Sequence, residues 1–180
     1  MPSVFTHAAV PLALWCASER GRISGRLLGA GMIAAMLPDA DVLAFALHIP
    51  YADALGHRGA SHSLLFAALL AVLAALFHPR LHAGRMQAAA FVFICALSHP
   101  FLDALTSGGL GVALWWPWSD VRLFAPWRPI RVSPFANGFF SARGLQTVLS
   151  ELRWVWLPLC LCVIGWKLVQ HCPRPDTPLQ

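Results

Sequence analysis

Residues 64–77 read L-L-F-A-A-L-L-A-V-L-A-A-L-F, so a helix formed there is apolar on every side. Such a helix belongs in a large core or in lipid. The run lies in one of five stretches free of charge: residues 2–18, 27–38 (continuing past two aspartates to about 50), 63–79, 86–102 and 154–166, the last running on to about 170. A chain of 180 residues that is 58% apolar and 12% charged departs from the soluble norm of about 45–50% and about 25%. Disorder, collagen and coiled coil are excluded, and the expectation is an all-α polytopic membrane bundle of four or five helices. Each stretch is short against the ~20 apolar residues needed to span a bilayer, so tilted, re-entrant and partly inserted segments stay open. A compact soluble bundle is the alternative, and the run at 64–77 stands against it.

Of the thirteen basic residues all but Lys167 are arginine, and they punctuate the apolar runs. A nucleic-acid binder would cluster them on a polar face, so no nucleic-acid partner is expected. Arg20, Arg22 and Arg26 lie between the first two stretches, and Arg80 and Arg85 between the third and fourth. Excess arginine marks cytoplasmic turns, which puts the N-terminus, the loop 50–61 and residues 106–143 outside; Arg122, Arg128, Arg131 and Arg143 run against that bias. The N-terminus lacks a basic region and a clear cleavage site, and reads as a retained first helix. The five cysteines are odd in number, four sit in apolar runs and none forms C-x-x-C. Neither a disulfide framework nor a zinc ribbon is indicated. Residues 107–134 hold four of the eight Trp and four Pro, residues that favour the headgroup zone and break helices. They are expected to form an interfacial cover over one domain, 1–172, followed by a short polar tail, 173–180.

Ionisable residues in membrane segments are costly and call for a functional reason. His7, Asp39 and Asp41, His57 and His62, and His99 and Asp103 are such residues. His7 lies 13 residues from Arg20, Asp39 and Asp41 lie 13 and 15 from Arg26, His62 lies 18 from Arg80, and His99 and Asp103 lie 14 and 18 from Arg85. On helices these offsets put them in one layer, roughly 20–27 Å from the cytoplasmic plane. Four imidazoles and three carboxylates with only Arg58 as counter-charge need a cation among them. Nitrogen and oxygen donors without cysteine suit Zn²⁺, with Mn²⁺ or Fe²⁺ as alternatives. His99 and Asp103 are i, i+4 and share a helix face. Asp39 and Asp41 are i, i+2 and cannot both ligate from a regular helix, although Pro38 offers a break. Each motif also has a plain structural reading: a His bonded to its helical neighbour, an Asp at a helix N-cap, or a polar turn at 57–59 with Ser61 capping the next helix. His48, His78, His82 and His171 fall outside the layer. No G-x-S-x-G, P-loop, G-x-G-x-x-G or H-E-x-x-H occurs, so serine hydrolase, nucleotide-binding and zincin readings lack support.

The succession T-H, L-P-D-x-D, H-R-G-x-S-H-S, S-H-x-x-x-D-x-x-T, G-G-x-G-x-x-L-x-W-P-x-S and F-x-P-W-R-P-I-x-V-S-P resembles the YdjM-type family of bacterial inner-membrane proteins, assigned metal-dependent hydrolase activity by motif and in some members described as LexA-regulated. A more distant likeness extends to zinc-dependent phospholipase C and P1-type nucleases. It implies that His7, Asp41 or Asp39, His62 or His57, His99 and Asp103 are metal ligands. The later H-x-x-x-E of those trinuclear enzymes has no counterpart here, which points to one or two ions.

The resulting expectation is a multi-pass inner-membrane hydrolase whose centre lies toward the outer face, using a metal-activated water on a phosphoester or ester. Whichever of Asp39 and Asp41 is not a ligand would serve as base, and Arg58 would steady an anionic substrate. Membrane lipids and a small or lipid-linked substrate are the expected partners. The alternatives are an ion or proton-coupled transporter using the same layer, and a purely structural metal staple.

Overall fold

The structure, a computed structural model, describes residues 1–134 and 136–171. The tail expected at 173–180 lies outside the described residues, as does Cys172. Among the described residues five helices follow one another: α1 (Val4–Ala17), α2 (Gly25–Ala46), α3 (Leu64–Leu76), α4 (Arg85–Ala104) and α5 (Ala142–His171). No strand forms among the described residues; the non-helical cover between α4 and α5 holds two isolated bridges, Thr106 with Ile130 and Val112 with Leu123. Four helices fall on the charge-free stretches. The fifth begins at Ala142 rather than at 154, because its first turns carry Arg143, Glu151 and Arg153. They form an amphipathic helix that turns Gly144, Thr147 and Glu151 inward.

Three helices, α2, α4 and α5, are long and apolar enough to cross a membrane, whereas α1 and α3 are shorter. At 1.5 Å per residue, the 13 residues of α3 extend about 20 Å. The packing is the reverse of a soluble bundle. On α3 the buried face is Ala67, Ala71 and Ala74, while Leu69, Val72, Leu73 and Leu76 are half exposed or more. Small residues inside and large apolar ones outside suit helices that meet in lipid, where there is no hydrophobic gain between them and close approach governs packing. The same rule operates where α2 crosses α4: a Cβ on Gly31 would run into the Phe91 ring and the Cys95 sulfur. Helix α4 is central, packed against α2 and α3, while α1 packs on the C-terminal half of α5.

The two arginine-rich turns lie side by side. Ser24 caps α2 by accepting from Leu27 N, and its hydroxyl donates to Leu81 O. Arg26 Nη1 donates to Arg80 O at 3.3 Å, and Gln87 Nε2 donates to Arg22 O. All the predicted layer residues fall at the opposite end of the helices, beneath the cover. Arg122 staples the cover to the loop before α3, donating to the carbonyls of His57 (3.0 Å), Tyr51 (3.1 Å) and Asp53 (2.9 Å). The G-G-x-G motif has a steric origin. Gly108 O accepts from Arg58 Nη1 at 3.0 Å, and Gly109 sits at φ +93°, where an added Cβ would lie 2.8 Å from that nitrogen. Only glycine combines a left-handed backbone with that approach. Gly109→Ala is therefore expected to destabilise the protein by about 1–3 kcal/mol, read as a lowered thermal midpoint in detergent; an unchanged midpoint would show that the cover tolerates the side chain.

Candidate metal centre

Helix α2 changes pitch to make the centre. Pro38 lacks an N–H, so the α-helical ladder ends at Met36 and a 3₁₀ turn runs Leu37–Val42, as expected where an i→i−4 bond cannot form. Asp39 and Asp41 leave this turn in different directions. Asp39 points into the layer and is 5% exposed; Asp41 is directed at the loop before α3. In that loop Arg58 adopts a left-handed backbone, φ 62°, and a short 3₁₀ turn, Ala60–His62, delivers His62. Ser63 caps α3, accepting from Phe66 N at 3.1 Å, while Ser61 donates to Asp41 Oδ2 at 2.6 Å. The cap expected at Ser61 is therefore at Ser63, because the 3₁₀ turn places Ser61 beside the aspartate. Helix α4 presents His99 and Asp103 on one buried face.

Asp39, His62, His99 and Asp103, all buried, offer ligand atoms within 4.8 Å of one another and can hold a metal ion. The imidazole tautomers argue for this independently. His99 Nδ1 donates to Ala35 O at 2.7 Å, and His62 Nδ1 faces Asp41 Oδ2 at 3.2 Å. A carbonyl or carboxylate only accepts, so in the neutral rings both Nε2 atoms carry lone pairs. Those two atoms face each other at 3.0 Å. Two facing lone pairs repel unless something positive lies between or beside them. Backing the ligating ring with a hydrogen bond on its other nitrogen is the usual second layer of a metal site.

The carboxylates make the same case. Asp39 Oδ1 lies 3.4 Å from His99 Nε2 and Asp103 Oδ2 lies 3.3 Å from His62 Nε2. Their other oxygens turn to His7, whose Nε2 is 3.6 Å from Asp39 Oδ2 and 3.7 Å from Asp103 Oδ1. None of these four oxygens, and neither nitrogen of His7, has a hydrogen-bond partner among the described residues. Buried polar atoms left so would each cost about 1–3 kcal/mol. His7 itself stacks on His99, centroids 3.7 Å apart and planes at 14°.

The remaining predicted residues form a supporting layer. His57 Nδ1 lies 2.5 Å from Asp41 Oδ1, and Arg58 N donates to Asp41 Oδ2 at 3.0 Å. Asp41 is thus fully engaged behind His62. Arg58, 0% exposed, sets its Nε 2.9 Å from Asp103 Oδ2 as an ion pair without hydrogen-bond alignment, and Nη2 donates to Thr106 Oγ1 at 3.0 Å. Its guanidinium holds the layer together from within. Against Asp39, Asp41 and Asp103 it supplies one positive charge. Burial pushes the His62 imidazole down, but the carboxylates of Asp103 and Asp41 on either side of the ring outweigh this and raise it to about 9. In the ion-free protein a proton on His62 supplies part of the missing positive charge.

Two apolar cavities flank the 3₁₀ turn. One, about 330 Å³, is walled by Pro2, Val4, Phe5, Val42, Pro134 and Phe139 and reaches Asp39. The other, about 430 Å³, is walled by Leu37, Leu55, Leu65, Phe66 and Trp116 and reaches Asp41 and Ser61. Sequence reasoning missed Glu151, 2% exposed, which accepts from Ser3 N at 2.5 Å, Ser3 Oγ at 2.6 Å and Thr6 Oγ1 at 2.7 Å. A lone carboxylate leading into an apolar run was the available signal.

Comparison with known proteins matches residues 1–172 to the sequence model of the YdjM inner membrane protein family. The chain is 46% identical over 171 residues to the inner membrane protein YbcI of Escherichia coli (strain K12), covering 93% of this chain and 99% of that relative. No solved structure matches.

Two expectations follow. A divalent cation must displace the His62 proton, so its affinity should rise about tenfold per pH unit below about pH 9 and level off above. The ion-free fold, conversely, keeps the full benefit of that proton below pH 6.5 and loses it as pH rises through about 9. Titration with Zn²⁺ at several pH values checks this, and a flat affinity would overturn it. Asp41→Asn should weaken cation binding about 10–100-fold without abolishing it, whereas His171→Ala should leave it unchanged.

Proposed function

Because the chain belongs to the YdjM inner membrane protein family, we propose that its buried layer is the centre of a membrane-bound metal-dependent hydrolase acting on a phosphoester or ester. The observation that carries this reading is the pair of facing Nε2 atoms of His62 and His99, 3.0 Å apart, set beside the carboxylates of Asp39 and Asp103, whose oxygens have no hydrogen bond among the described residues. A divalent cation held there supplies Lewis acidity and lowers the pKa of a bound water toward neutrality. Zinc fits the donors best, with manganese or iron as alternatives.

Each residue then has a task. Asp39, His62, His99 and Asp103 would hold the first ion. His7 faces the second oxygens of both aspartates and would help to hold a second ion. Asp41, engaged by His57, Ser61 and the Arg58 backbone, orients His62 and does not serve as the base. Asp39 is the layer carboxylate at the wall of the 330 Å³ cavity, so it would bring the ion within reach of a substrate there. Arg58 neutralises Asp103 and keeps it ionised, rather than meeting the substrate.

The apolar walls of that cavity favour a substrate with a hydrocarbon portion whose ester group reaches Asp39, that is, a lipid or lipid-linked compound. The arginine-rich turns at the other end favour an outer-facing centre. A transport pathway needs polar groups through the membrane thickness. Beneath the layer, however, the helices close on Leu27, Ala34, Ala35, Val92, Cys95 and Ala96, which favours hydrolysis over transport.

Elemental analysis of the detergent-purified protein after exhaustive dialysis, beside Asp103→Ala, is the direct test. One or two equivalents of zinc, manganese or iron are expected in the wild type and none in the variant. Chelator-sensitive hydrolysis of bis(p-nitrophenyl) phosphate or of phosphatidic acid should accompany the metal and be lost in Asp39→Asn. Wild-type protein that takes up no metal on reconstitution would overturn the reading.

A further inference from the structure

The three imidazoles of the layer are not held alike. His62 is fixed through Nδ1 by Asp41 and His99 through Nδ1 by Ala35 O. His7 has no hydrogen bond on either nitrogen among the described residues and only the His99 ring beneath it. Its approach to Asp39 and Asp103 is therefore set by where its own short helical segment, Val4–His7, is placed.

That segment is held by Glu151. Ser3 occupies the N-cap but makes no capping bond; its hydroxyl and its N–H both go to Glu151, as does the hydroxyl of Thr6, the residue before His7. Trp156 Nε1 donates to the same Thr6 oxygen at 3.1 Å. In a regular α-helix residues 151 and 156, five apart, point about 140° away from each other. Here a π turn covers Leu152–Trp156, and its i→i+5 ladder brings both to the side facing Thr6. The irregularity in α5 has the effect of gripping the start of α1.

We propose that Glu151 is a positioning residue for the metal centre: by holding Ser3 and Thr6 it fixes the segment that sets His7 Nε2 against the second oxygens of Asp39 and Asp103. This rests on the metal-centre reading above. The test loads the full-length, detergent-solubilised protein with Co²⁺ and records the exchangeable, hyperfine-shifted imidazole N–H signals, which report ligated histidines individually. Wild type should show signals from His7, His62 and His99, and His7→Ala identifies the first by its loss. Glu151→Ala should lose that same signal, keep the other two, and change Co²⁺ affinity by less than about tenfold. Glu151→Gln, which retains a carbonyl acceptor, should recover the His7 signal at least in part. Gln146→Ala, on the same helix but bonded to Arg131, should keep all three.

Retention of all three signals in Glu151→Ala would overturn the proposal. So would loss of Co²⁺ binding altogether in both Glu151 variants, which would make the residue a general support of the fold. A wild-type protein that binds no Co²⁺ would instead bring down the metal-centre reading itself.

Discussion

Three buried carboxylates share one end of an apolar helical bundle with a single guanidinium. Charges taken out of water must be paired or neutralised, since leaving one partner without the other is among the costlier defects a fold can carry. Arg58 meets that requirement for Asp103, and the His57, Ser61 and Arg58 backbone donors meet it for Asp41. Asp39 has only imidazole nitrogens as basic neighbours, and the outward oxygen of Asp103 faces His7 and, at 4.0 Å, the amino group of Met1. The layer is therefore balanced only with added positive charge, whether a proton on His62 or a cation among the rings. The rest of the architecture can be understood as what keeps that imbalance in place: a pitch change in α2, a left-handed arginine, a glycine loop closed over the guanidinium, and a cover stapled by Arg122.

The 3₁₀ and π turns among the described residues are gathered at this end. The 3₁₀ turn at Leu37–Val42, the 3₁₀ turn at Ala60–His62, the positive φ of Arg58 and the π turn at Leu152–Trp156 each aim a polar group that a regular helix would send elsewhere. At the other end the two arginine turns pack by ordinary caps and backbone contacts. Between them the helices approach on alanine and glycine. That close fit suits membrane helices, whose association depends on packing rather than on leaving water, and it leaves little room for a polar path beneath the layer.

Much of this is legible in the sequence because depth along a helix is a count. Offsets from the flanking arginines place His7, Asp39, Asp41, His62, His99 and Asp103 at one level, and the i, i+4 spacing of His99 and Asp103 gives a shared face. What counting cannot give is rotation. Whether Asp39 or Asp41 faces the centre depends on the 3₁₀ turn after Pro38, and whether His57 or His62 does depends on a turn whose shape is set by the cover. Arg58 was expected to meet substrate; its guanidinium is enclosed by Asp103, Thr106 and the Gly108 carbonyl instead, partners that arrive from α4 and the cover and are 45 or more residues away in the chain. The start of α5 was missed because a charge-free run is a poor signal for an amphipathic helix. Glu151 went with it.

The separate roles of Asp39 and Asp41 also explain why an aspartate pair two residues apart is useful on this turn. One carboxylate reaches the centre, 3.4 Å from Nε2 of His99, while the other accepts from Nδ1 of His62 on that ring's far side, so one turn serves both imidazoles. Moving either by one position would turn it about a third of a 3₁₀ turn away. Asp39 would then leave Nε2 of His99, or Asp41 would leave Nδ1 of His62 with only the Ser61 hydroxyl, which can donate or accept and so does not fix the tautomer. The spacing P-D-x-D thus aims one carboxylate into the candidate centre and the other at its support in a single turn, and the proline that starts the turn is as much a part of the arrangement as the carboxylates it aims.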